Sequence, residues 1–347
     1  MGEGPSILIR CDGSPEIGFG HVVRCLALAD ELRGVHGCQV VFAMRKGPRG
    51  FDMVGEGGYP VVTPQGPDRS FDYPRWMTEA LDVNDAKALV LDVRDDLRRE
   101  DVERLKAPGR IVAVLDDLSD RRLAADLAFY PPVPQVPRAG WEGFGGEVHA
   151  GWDMVLLRPE FSRSRRDQRE GAPTVLVTMG GSDPAGLTLK AMNALDRLSG
   201  EFRVVVVLGP GFLHEETLSA SLPGMHRRCE VLRDVRNMAD VMSRADLAVA
   251  SFGVTAYELA ATGVPAIYLC LTQDHAESAM ALVREGVAVS LGTYERVSVE
   301  ALAEAASRLL NDSAAKEGMR RRTSGLVDGR GAERIARAIT EGIERTK

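Results

Sequence analysis

Short apolar segments without polar alternation recur along this chain, and glycine-containing loops and helical stretches separate them. Strands of this kind are buried on both faces, which is typical of parallel sheets covered by helices. The candidate strands are residues 6–11, 39–44, 88–92 and 111–115 in the first half, and the run that begins at Pro173, 203–208, 246–250 and 266–271 in the second. We therefore predict an α/β protein with two parallel-sheet domains.

The length of the chain agrees with two domains, because 347 residues are about twice the size of a typical domain. A polar and highly charged segment follows Phe161 and separates the two halves. The predicted organisation is an N-terminal domain over residues 1–161, a linker over 162–172, a C-terminal domain over 173–330 and a final helix over 331–347. Ligands of open α/β sheets bind beyond the carboxyl ends of the strands, so we expect both domains to face a shared cleft.

Charge and cysteine content exclude several classes of function. The net charge of −7 excludes binding of a nucleic acid polymer by bulk charge. The five cysteines form no C-x-x-C pair and no metal-finger spacing, which favours a reducing, cytoplasmic setting without a metal site. No apolar run approaches the roughly 20 residues of a membrane helix, so we expect no stable membrane insertion.

The first candidate site is the segment IGFGHVVR at residues 17–24. Gly18 and Gly20 allow the backbone to pass close to a ligand and turn into a helix, whose N-terminus attracts anions. His21 and Arg24 are three residues apart and share one helix face, and a histidine there is suited to act as a general base. The alternative is a tight strand–helix turn in which His21 only caps the helix.

The same segment argues against NAD. The dinucleotide fingerprint requires a third glycine where Val23 stands. It also requires an acidic residue about 20 positions further on, and residues 41–46 contain none. We therefore expect no nicotinamide cofactor, and no other cofactor is indicated.

The second candidate site is the loop Gly180-Gly181-Ser182-Asp183 after the strand that begins at Pro173. Ser182 or Asp183 is expected to cap the next helix, and the two glycines open backbone amides toward an anion. The alternative is an ordinary capped turn.

The third and fourth candidate sites follow the strands 246–250 and 266–271. In the third, a helix start aims amides at a phosphate, and Glu258, one turn further on, is placed to accept both hydroxyls of a ribose. The alternative for Glu258 is an acid that complements the helix dipole. In the fourth, Gln273 and His275 are possible donors to a sugar or phosphate, or part of a surface loop. The residues of the third site are Ser251, Gly253, Val254, Thr255 and Glu258.

Taken together, these segments resemble the UDP-2,4-diacetamido-2,4,6-trideoxy-β-L-altropyranose hydrolase family of pseudaminic acid biosynthesis. That family is related to the N-acetylglucosaminyltransferase that forms lipid II. The matching segments are RCDGSPEIGFGHVVRCLALA near the start, VLDDLSDR near residue 116, AGWDMVLLRPEF at 150–161, VTMGGSDPAGLTLKAMNAL at 177–195 and NMADVMSRADLAVASFGVTAYE at 237–258.

The resemblance implies a GT-B-like fold of two Rossmann-like domains facing across a cleft, with the nucleotide held mainly by the second. It implies metal-independent hydrolysis of a UDP-sugar, with His21 as the base that activates water and Glu258 as the ribose-binding acid. The loops that surround the diphosphate are implied to be formed by Gly180, Gly181, Ser182, Gly253, Val254 and Thr255.

One departure from the family pattern follows the strand 88–92. The family usually shows Asp-His-Tyr, and this chain has Asp92-Val93-Arg94. We expect Asp92 and Arg94 to contact the sugar, and a cation in place of the aromatic hydroxyl suits an acidic sugar. The same layout would serve a nucleotide-sugar glycosyltransferase if a hydroxyl replaced the water. A third alternative is a binding protein without catalysis, against which the presence of His21 argues.

Overall fold

The computed structural model describes residues 4–45, 47–64, 71–162 and 171–346. Within these ranges the chain forms two compact units. Unit 1 contains residues 1–14, 21–158 and 330–347, and unit 2 contains residues 15–20 and 159–329. Residues 15–20 and 159–161, which the sequence placed in the N-terminal domain, therefore group with unit 2. The predicted linker at 162–172 lies mostly outside the described residues.

Unit 1 is a parallel sheet covered by helices on both faces. Its strands pair in the order β3-β2-β1-β4-β5-β6-β7. The strands are β1 (Ser6–Cys11), β2 (Gln39–Ala43), β3 (Val61–Val62), β4 (Ala86–Asp92), β5 (Ile111–Leu115), β6 (Leu127–Tyr130) and β7 (Glu147–Ala150). The helices of unit 1 are α1 (Gly20–Gly34, whose first residue groups with unit 2), α2 (Pro48–Glu56), α3 (Tyr73–Val83), α4 (Arg99–Leu105) and α12 (Gly331–Arg345).

The apolar strands fold this way because each of their faces meets a helix layer. Ile7 and Ile9 of β1 pack into one core cluster, whereas Leu8 between them packs into the cluster on the opposite face. The helix α12 closes the first cluster with Ile335, Ile339 and related residues at the spacing of one helix face. The helix α12 is thus part of the core of unit 1, although it follows unit 2 in the sequence.

Unit 2 repeats the same design, with strands paired in parallel in the order β10-β9-β8-β11-β12-β13. The strands are β8 (Thr174–Thr178), β9 (Arg203–Val207), β10 (Cys229–Leu232), β11 (Leu247–Ser251), β12 (Ala266–Cys270) and β13 (Ala288–Thr293). The helices are α5 (Leu187–Asp196), α6 (Glu215–Ser221), α7 (Met238–Ser243), α8 (Val254–Ala261), α9 (Gln273–Arg284), α10 (Val299–Asn311) and α11 (Ser313–Thr323).

Each sheet contains one topological switch point, where successive connections leave in opposite directions. In unit 1 it lies between β1 and β4, and in unit 2 between β8 and β11. The crevice beyond the carboxyl ends of the strands at such a point is the usual ligand site of an open α/β sheet. The loops after these four strands hold three of the four candidate sites found in the sequence.

The predicted fold class, an α/β chain with two Rossmann-like parallel sheets, is confirmed. β1 and β5 begin and end at the predicted residues. β4 begins at Ala86, two residues before the prediction. Lys87 interrupts the apolar run in the sequence. In the structure its ammonium group donates to Asp85, an exposed residue directly before β4.

Candidate active site

His21 and Asp92 meet at the switch point of unit 1. His21 is the second residue of α1, which follows β1, and Asp92 is the last residue of β4. Because β1 and β4 are adjacent and parallel, their carboxyl ends share one edge of the sheet. His21 Nδ1 lies 2.7 Å from Asp92 Oδ1. The sequence placed both residues in the site but did not predict that they pair.

Arg24 completes this contact from one turn further along α1. Its Nε and Nη2 donate to the two oxygens of Asp92 at 2.6 and 2.5 Å. The thiol of Cys25 also contacts Asp92 Oδ2, at 3.4 Å. The carboxylate of Asp92 is only 1% exposed and has protein partners on both oxygens. In this structure it therefore orients His21 and Arg24, whereas the sequence had suggested that it contacts the sugar.

The charge of Asp92 is stabilised despite its burial. Burial by itself would raise the pKa of Asp92, but the positive charge of Arg24 outweighs it, and His21 adds to the effect. The pKa therefore lies well below the ordinary value of an aspartate. Burial would likewise lower the pKa of Arg24, but the charges of Asp92 and Asp116 hold it above its usual value. The pair is ionised at neutral pH.

Asp116, the residue after β5, extends this group along the edge of the sheet. Its Oδ2 accepts a hydrogen bond from Arg24 Nη1 at 3.0 Å. We refer to His21, Arg24, Asp92 and Asp116 as the His21 cluster. The role of Asp116 was not predicted, although the signal was present: Asp92 ends β4, and Asp116 directly follows β5, its neighbour in the parallel sheet.

Arg94 lies at the rim of the His21 cluster. Its side chain is 47% exposed. Its Nη2 donates to the backbone oxygen of Asp116 at 2.5 Å, and its Nη1 lies 3.9 Å from Asp117 Oδ1. The guanidinium thus already has acidic partners in unit 1, which weakens the expectation that it binds an acidic sugar.

A second buried network, which the sequence did not reveal, supports the same edge. Arg10 of β1 is fully buried and donates to Tyr73, Asp12 and Asp95. Burial by itself would lower the pKa of Arg10, but Tyr73 and the two carboxylates raise it above its ordinary value. Asp12 Oδ1 in turn accepts from the backbone nitrogen of Arg45 at 2.7 Å. The network therefore connects Asp12, after β1, with Arg45, after β2, and Asp95, after β4.

In unit 2, Asp183 organises the loop after β8. Its two carboxylate oxygens accept from the backbone nitrogens of Leu187 and Thr188 at 2.7 and 2.8 Å, at the start of α5. Asp183 therefore accepts hydrogen bonds from the first two N–H groups of α5, as expected of a capping side chain, but the N-cap residue itself is Gly186. Burial raises the pKa of Asp183, because it outweighs the opposing effect of these backbone hydrogen bonds. Ser182, the other candidate, is buried.

The glycines of this loop are required by packing as well as by backbone conformation. Gly180 has a φ of +75°. A Cβ on Gly181 would lie 2.9 Å from the ring of Phe19, and one on Gly209 would lie 2.3 Å from the backbone oxygen of Gly180. Gly211 donates its backbone N–H to the oxygen of Gly181 at 2.8 Å. The loop is therefore packed against other glycines and Phe19, which the prediction of amides open to an anion did not include.

The loop after β11 contains the third candidate site. Gly253 precedes α8, which begins at Val254, so the predicted helix start at this position is confirmed. Glu258 and Ser251 are buried, and Thr255 is half-buried. A Cβ on Gly180 would lie 3.6 Å from Ser251 Oγ, which places the loops after β8 and β11 side by side. These two loops therefore form one surface at the switch point of unit 2.

The remaining candidates are Gly18, Gly20, Gln273 and His275. Gly18 has a φ of +80°, which favours glycine. A Cβ on Gly20 would lie 3.5 Å from Val254 Cγ2, at the start of α8. His275 is half-buried, and its ring centroid is 5.9 Å from that of Phe252. Gln273 is exposed as the first residue of α9, whose cap is Thr272.

Neither a metal cluster nor a membrane-spanning helix is found in the part of the chain that the structure describes. No group of three or more His, Cys, Asp or Glu side chains there is placed to hold a metal ion. None of the helices described combines the length and apolar character that a membrane crossing requires. The described cysteines, all five of the chain, are free thiols.

Residues 174–335 match the glycosyltransferase family 28 C-terminal domain. Over nearly its full length the chain is 24% identical to the spore coat polysaccharide biosynthesis protein SpsG of Bacillus subtilis, covering 97% of this chain and 98% of that protein. It is 21% identical to the UDP-2,4-diacetamido-2,4,6-trideoxy-β-L-altropyranose hydrolase of Campylobacter jejuni, covering 82% of this chain and 98% of that enzyme. Among solved structures, MurG of Acinetobacter baumannii superimposes with a TM-score of 0.69 and 16% identity, covering 97% and 99% of the two chains.

These similarities confirm the GT-B-like fold and a glycosyltransferase-like second half. The match to a glycosyltransferase domain favours the transferase alternative over the hydrolase, because the hydrolase relative is distant in sequence.

Proposed function

We propose that this protein is a nucleotide-sugar-dependent enzyme in which His21 removes a proton from the acceptor of the sugar. The leading reaction is glycosyl transfer to a hydroxyl group. The single observation that supports this proposal most is the contact of 2.7 Å between His21 Nδ1 and the ionised, buried Asp92.

This contact supports the Nε2 atom of His21 as the base in the proposed step. A carboxylate oxygen only accepts hydrogen bonds, so at 2.7 Å His21 Nδ1 must carry the proton and donate it. The Nε2 atom of the neutral ring then has a free lone pair. Arg24 Nη2, at 3.2 Å from the same Nδ1, cannot donate to a nitrogen that already carries a proton. Arg24 therefore serves to hold Asp92.

The proposed step conserves atoms and charge. The acceptor O–H gives its proton to His21 Nε2 while its oxygen attacks the anomeric carbon of the sugar. The bond from that carbon to the diphosphate oxygen breaks, and its electron pair leaves with the nucleoside diphosphate. A diphosphate is a stable leaving group, so the protein needs chiefly to hold it and to place the acceptor.

The nucleotide is assigned in this proposal to unit 2. The start of α8 at Val254 offers backbone N–H groups and the positive end of the helix dipole to a diphosphate. Glu258, in the same helix, is the proposed ribose ligand. The similarity of residues 174–335 to a glycosyltransferase domain supports this assignment, because that match includes α8 and the loops after β8 and β11.

A second candidate reaction is hydrolysis, in which water replaces the hydroxyl acceptor. The relative from Campylobacter jejuni supports it, since that protein is named a UDP-sugar hydrolase and the similarity spans 98% of its length. In either reaction the base, the broken bond and the released nucleotide are the same. The two reactions differ only in the origin of the oxygen on the sugar product.

One experiment tests the proposal and separates the two reactions. The protein is incubated with a panel of UDP-, dTDP- and GDP-sugars, with and without hydroxyl acceptors, and nucleotide release is measured. Release in oxygen-18 water that labels the sugar product identifies hydrolysis, and acceptor-dependent release without the label identifies transfer.

The matched variants for this experiment are His21→Ala and His226→Ala. His226 also contacts an aspartate, but its side chain is 92% exposed on unit 2. We expect release to fall about 10²- to 10⁴-fold in His21→Ala, the usual contribution of a general base, and to stay unchanged in His226→Ala. Equal loss in both variants, or none in either, contradicts the proposal.

A further inference from the structure

Asp116 differs from Asp92 in how much of its carboxylate the protein uses. Both oxygens of Asp92 accept hydrogen bonds from side chains, and the carboxylate is 1% exposed. In Asp116, Oδ2 accepts from Arg24, and the side chain is 25% exposed. Oδ1 of Asp116 has no hydrogen-bond partner among the residues that the structure describes. A carboxylate oxygen without a protein partner retains acceptor capacity for an incoming group.

Asp116 is also held firmly in place. Its backbone nitrogen donates to the oxygen of Phe129 at 2.8 Å, and its backbone oxygen accepts from Arg94. The guanidinium of Arg24 joins it to Asp92, and through Asp92 to His21. A carboxylate fixed on both backbone and side chain loses little conformational freedom when it binds a ligand. Asp116 is therefore preorganised, and the guanidinium of Arg24 connects it through Asp92 to the proposed base, His21.

We infer that Asp116 is a specificity-determining residue, whose Oδ1 accepts a hydrogen bond from a hydroxyl group of the sugar that is transferred or released. This inference rests on the proposed function. The inference adds a substrate class to the proposed function, namely sugars that carry a free hydroxyl at the position facing Asp116. An anionic group at that position is disfavoured because it would meet the carboxylate.

The inference distinguishes Asp116 from a residue that only supports the fold. If Asp116 merely neutralised Arg24, its removal would lower turnover of every nucleotide sugar by a similar factor. A hydroxyl ligand instead makes the loss depend on the substrate, because an analogue without that hydroxyl leaves the carboxylate unpaired. Selectivity between a sugar and its deoxy analogue is therefore the informative readout.

The experiment uses the fastest nucleotide sugar of the panel described above and its monodeoxy analogues, each with the hydroxyl removed at one ring position. We expect wild type to lose about 10- to 100-fold in kcat/KM on one analogue, the usual range for a hydrogen bond to a charged group. Asp116→Ala is expected to lose a similar factor on the parent sugar and almost nothing further on that analogue. Asp116→Asn, which keeps one acceptor oxygen, is expected to recover part of the selectivity.

Asp85→Asn is the matched control. Asp85 and Asp116 both have a positive φ, of 44° and 52°. Asparagine also tolerates this conformation, so neither Asp85→Asn nor Asp116→Asn strains the backbone. Asp85 precedes β4 and therefore lies at the opposite edge of the sheet from the His21 cluster. We expect its replacement to leave turnover and selectivity unchanged.

The outcomes separate the inference from the function on which it rests. An Asp116→Ala variant that turns over more slowly but discriminates among the analogues as wild type does overturns the inference and leaves the proposed function intact. Absence of nucleotide release from the whole panel, or release that does not depend on His21, contradicts the proposed function and the inference with it.

Discussion

A histidine contacts an aspartate in each unit of this molecule, and the two pairs lie in opposite surroundings. His21 and Asp92 are 2.7 Å apart at the carboxyl edge of the unit 1 sheet, where the carboxylate is 1% exposed. His226 and Asp196 are 3.1 Å apart in unit 2, where the imidazole is 92% exposed and the carboxylate 16%, against 20% for the imidazole of His21. The residue types are the same, so the difference between the pairs lies in what surrounds them.

The aspartate partners explain the difference. Arg24 and Cys25 contact Asp92, so its charge is balanced inside the protein. Asp196 instead accepts hydrogen bonds from the backbone nitrogens of His226 and Arg227, which are part of a loop. Only the first arrangement fixes the orientation of an imidazole ring against a buried charge. The comparison teaches that the two aspartates differ in their partners: Asp92 is buried against the guanidinium of Arg24, whereas Asp196 is held by backbone N–H groups.

The largest expected difference between the pairs is in catalysis. Asp92→Asn removes the charge that makes His21 Nδ1 the donor, so the fraction of rings with a free Nε2 lone pair falls. We expect kcat to drop about 10²- to 10⁴-fold, with a smaller change in KM. Asp196→Asn is expected to leave both constants unchanged. Nucleotide release measured over a range of substrate concentrations gives both constants. A rise in KM with an unchanged kcat would show that Asp92 serves binding instead.

The next largest difference is in stability. Asp92→Ala leaves the buried guanidinium of Arg24 with Asp116 as its acidic partner, and breaking a buried ion pair on one side costs about 3–5 kcal/mol. Removing both charges in Arg24→Met/Asp92→Ala is expected to recover part of this loss, because the uncompensated charge is then absent. Denaturant unfolding measures both variants. A double variant less stable than Asp92→Ala would contradict this explanation.

The sequence predicted the residues of the His21 cluster better than their contacts. Unbroken apolar runs identified the strands, and strand ends in a parallel sheet share one edge, so His21, Arg24 and Asp92 were expected in one site. The pairing of His21 with Asp92 spans 71 positions of sequence and depends on strand order. Periodicity gives strand positions but not the order in which strands lie in the sheet.

Two further features escaped prediction for related physical reasons. Arg10 stands in an apolar strand, and nothing local shows that Tyr73, Asp12 and Asp95 converge on it. Gly181 was interpreted as an anion-binding glycine, and the sequence did not show that a side chain at this position would also meet the ring of Phe19. A glycine required by a distant side chain and one required by a ligand have the same appearance in a sequence.

A third difference is expected in the pH dependence of stability. The pKa of Asp92 is lowered in the folded protein, so its contribution is fully present above the ordinary aspartate pKa and is lost as pH falls toward the folded value. The difference in unfolding free energy between wild type and Asp92→Asn should therefore be constant above about pH 5 and shrink by up to about 1.4 kcal/mol per pH unit below about pH 4. Unfolding curves between these pH values check the sign, and a difference that grows in acid would contradict it.

The smallest expected effect completes the comparison at the exposed pair. Asp196 is the last residue of α5, where the helix dipole disfavours a negative charge, and the two backbone hydrogen bonds it accepts offset that cost. Asp196→Asn is therefore expected to lower the free energy of unfolding by less than about 1 kcal/mol, and His226→Ala by about the same or less, as for other exposed ion pairs. Added salt should reduce these small differences further, whereas the effect of Asp92→Ala should persist because its partners are shielded from solvent. A salt-resistant loss above this range at Asp196 would mean that burial is not what separates the two pairs.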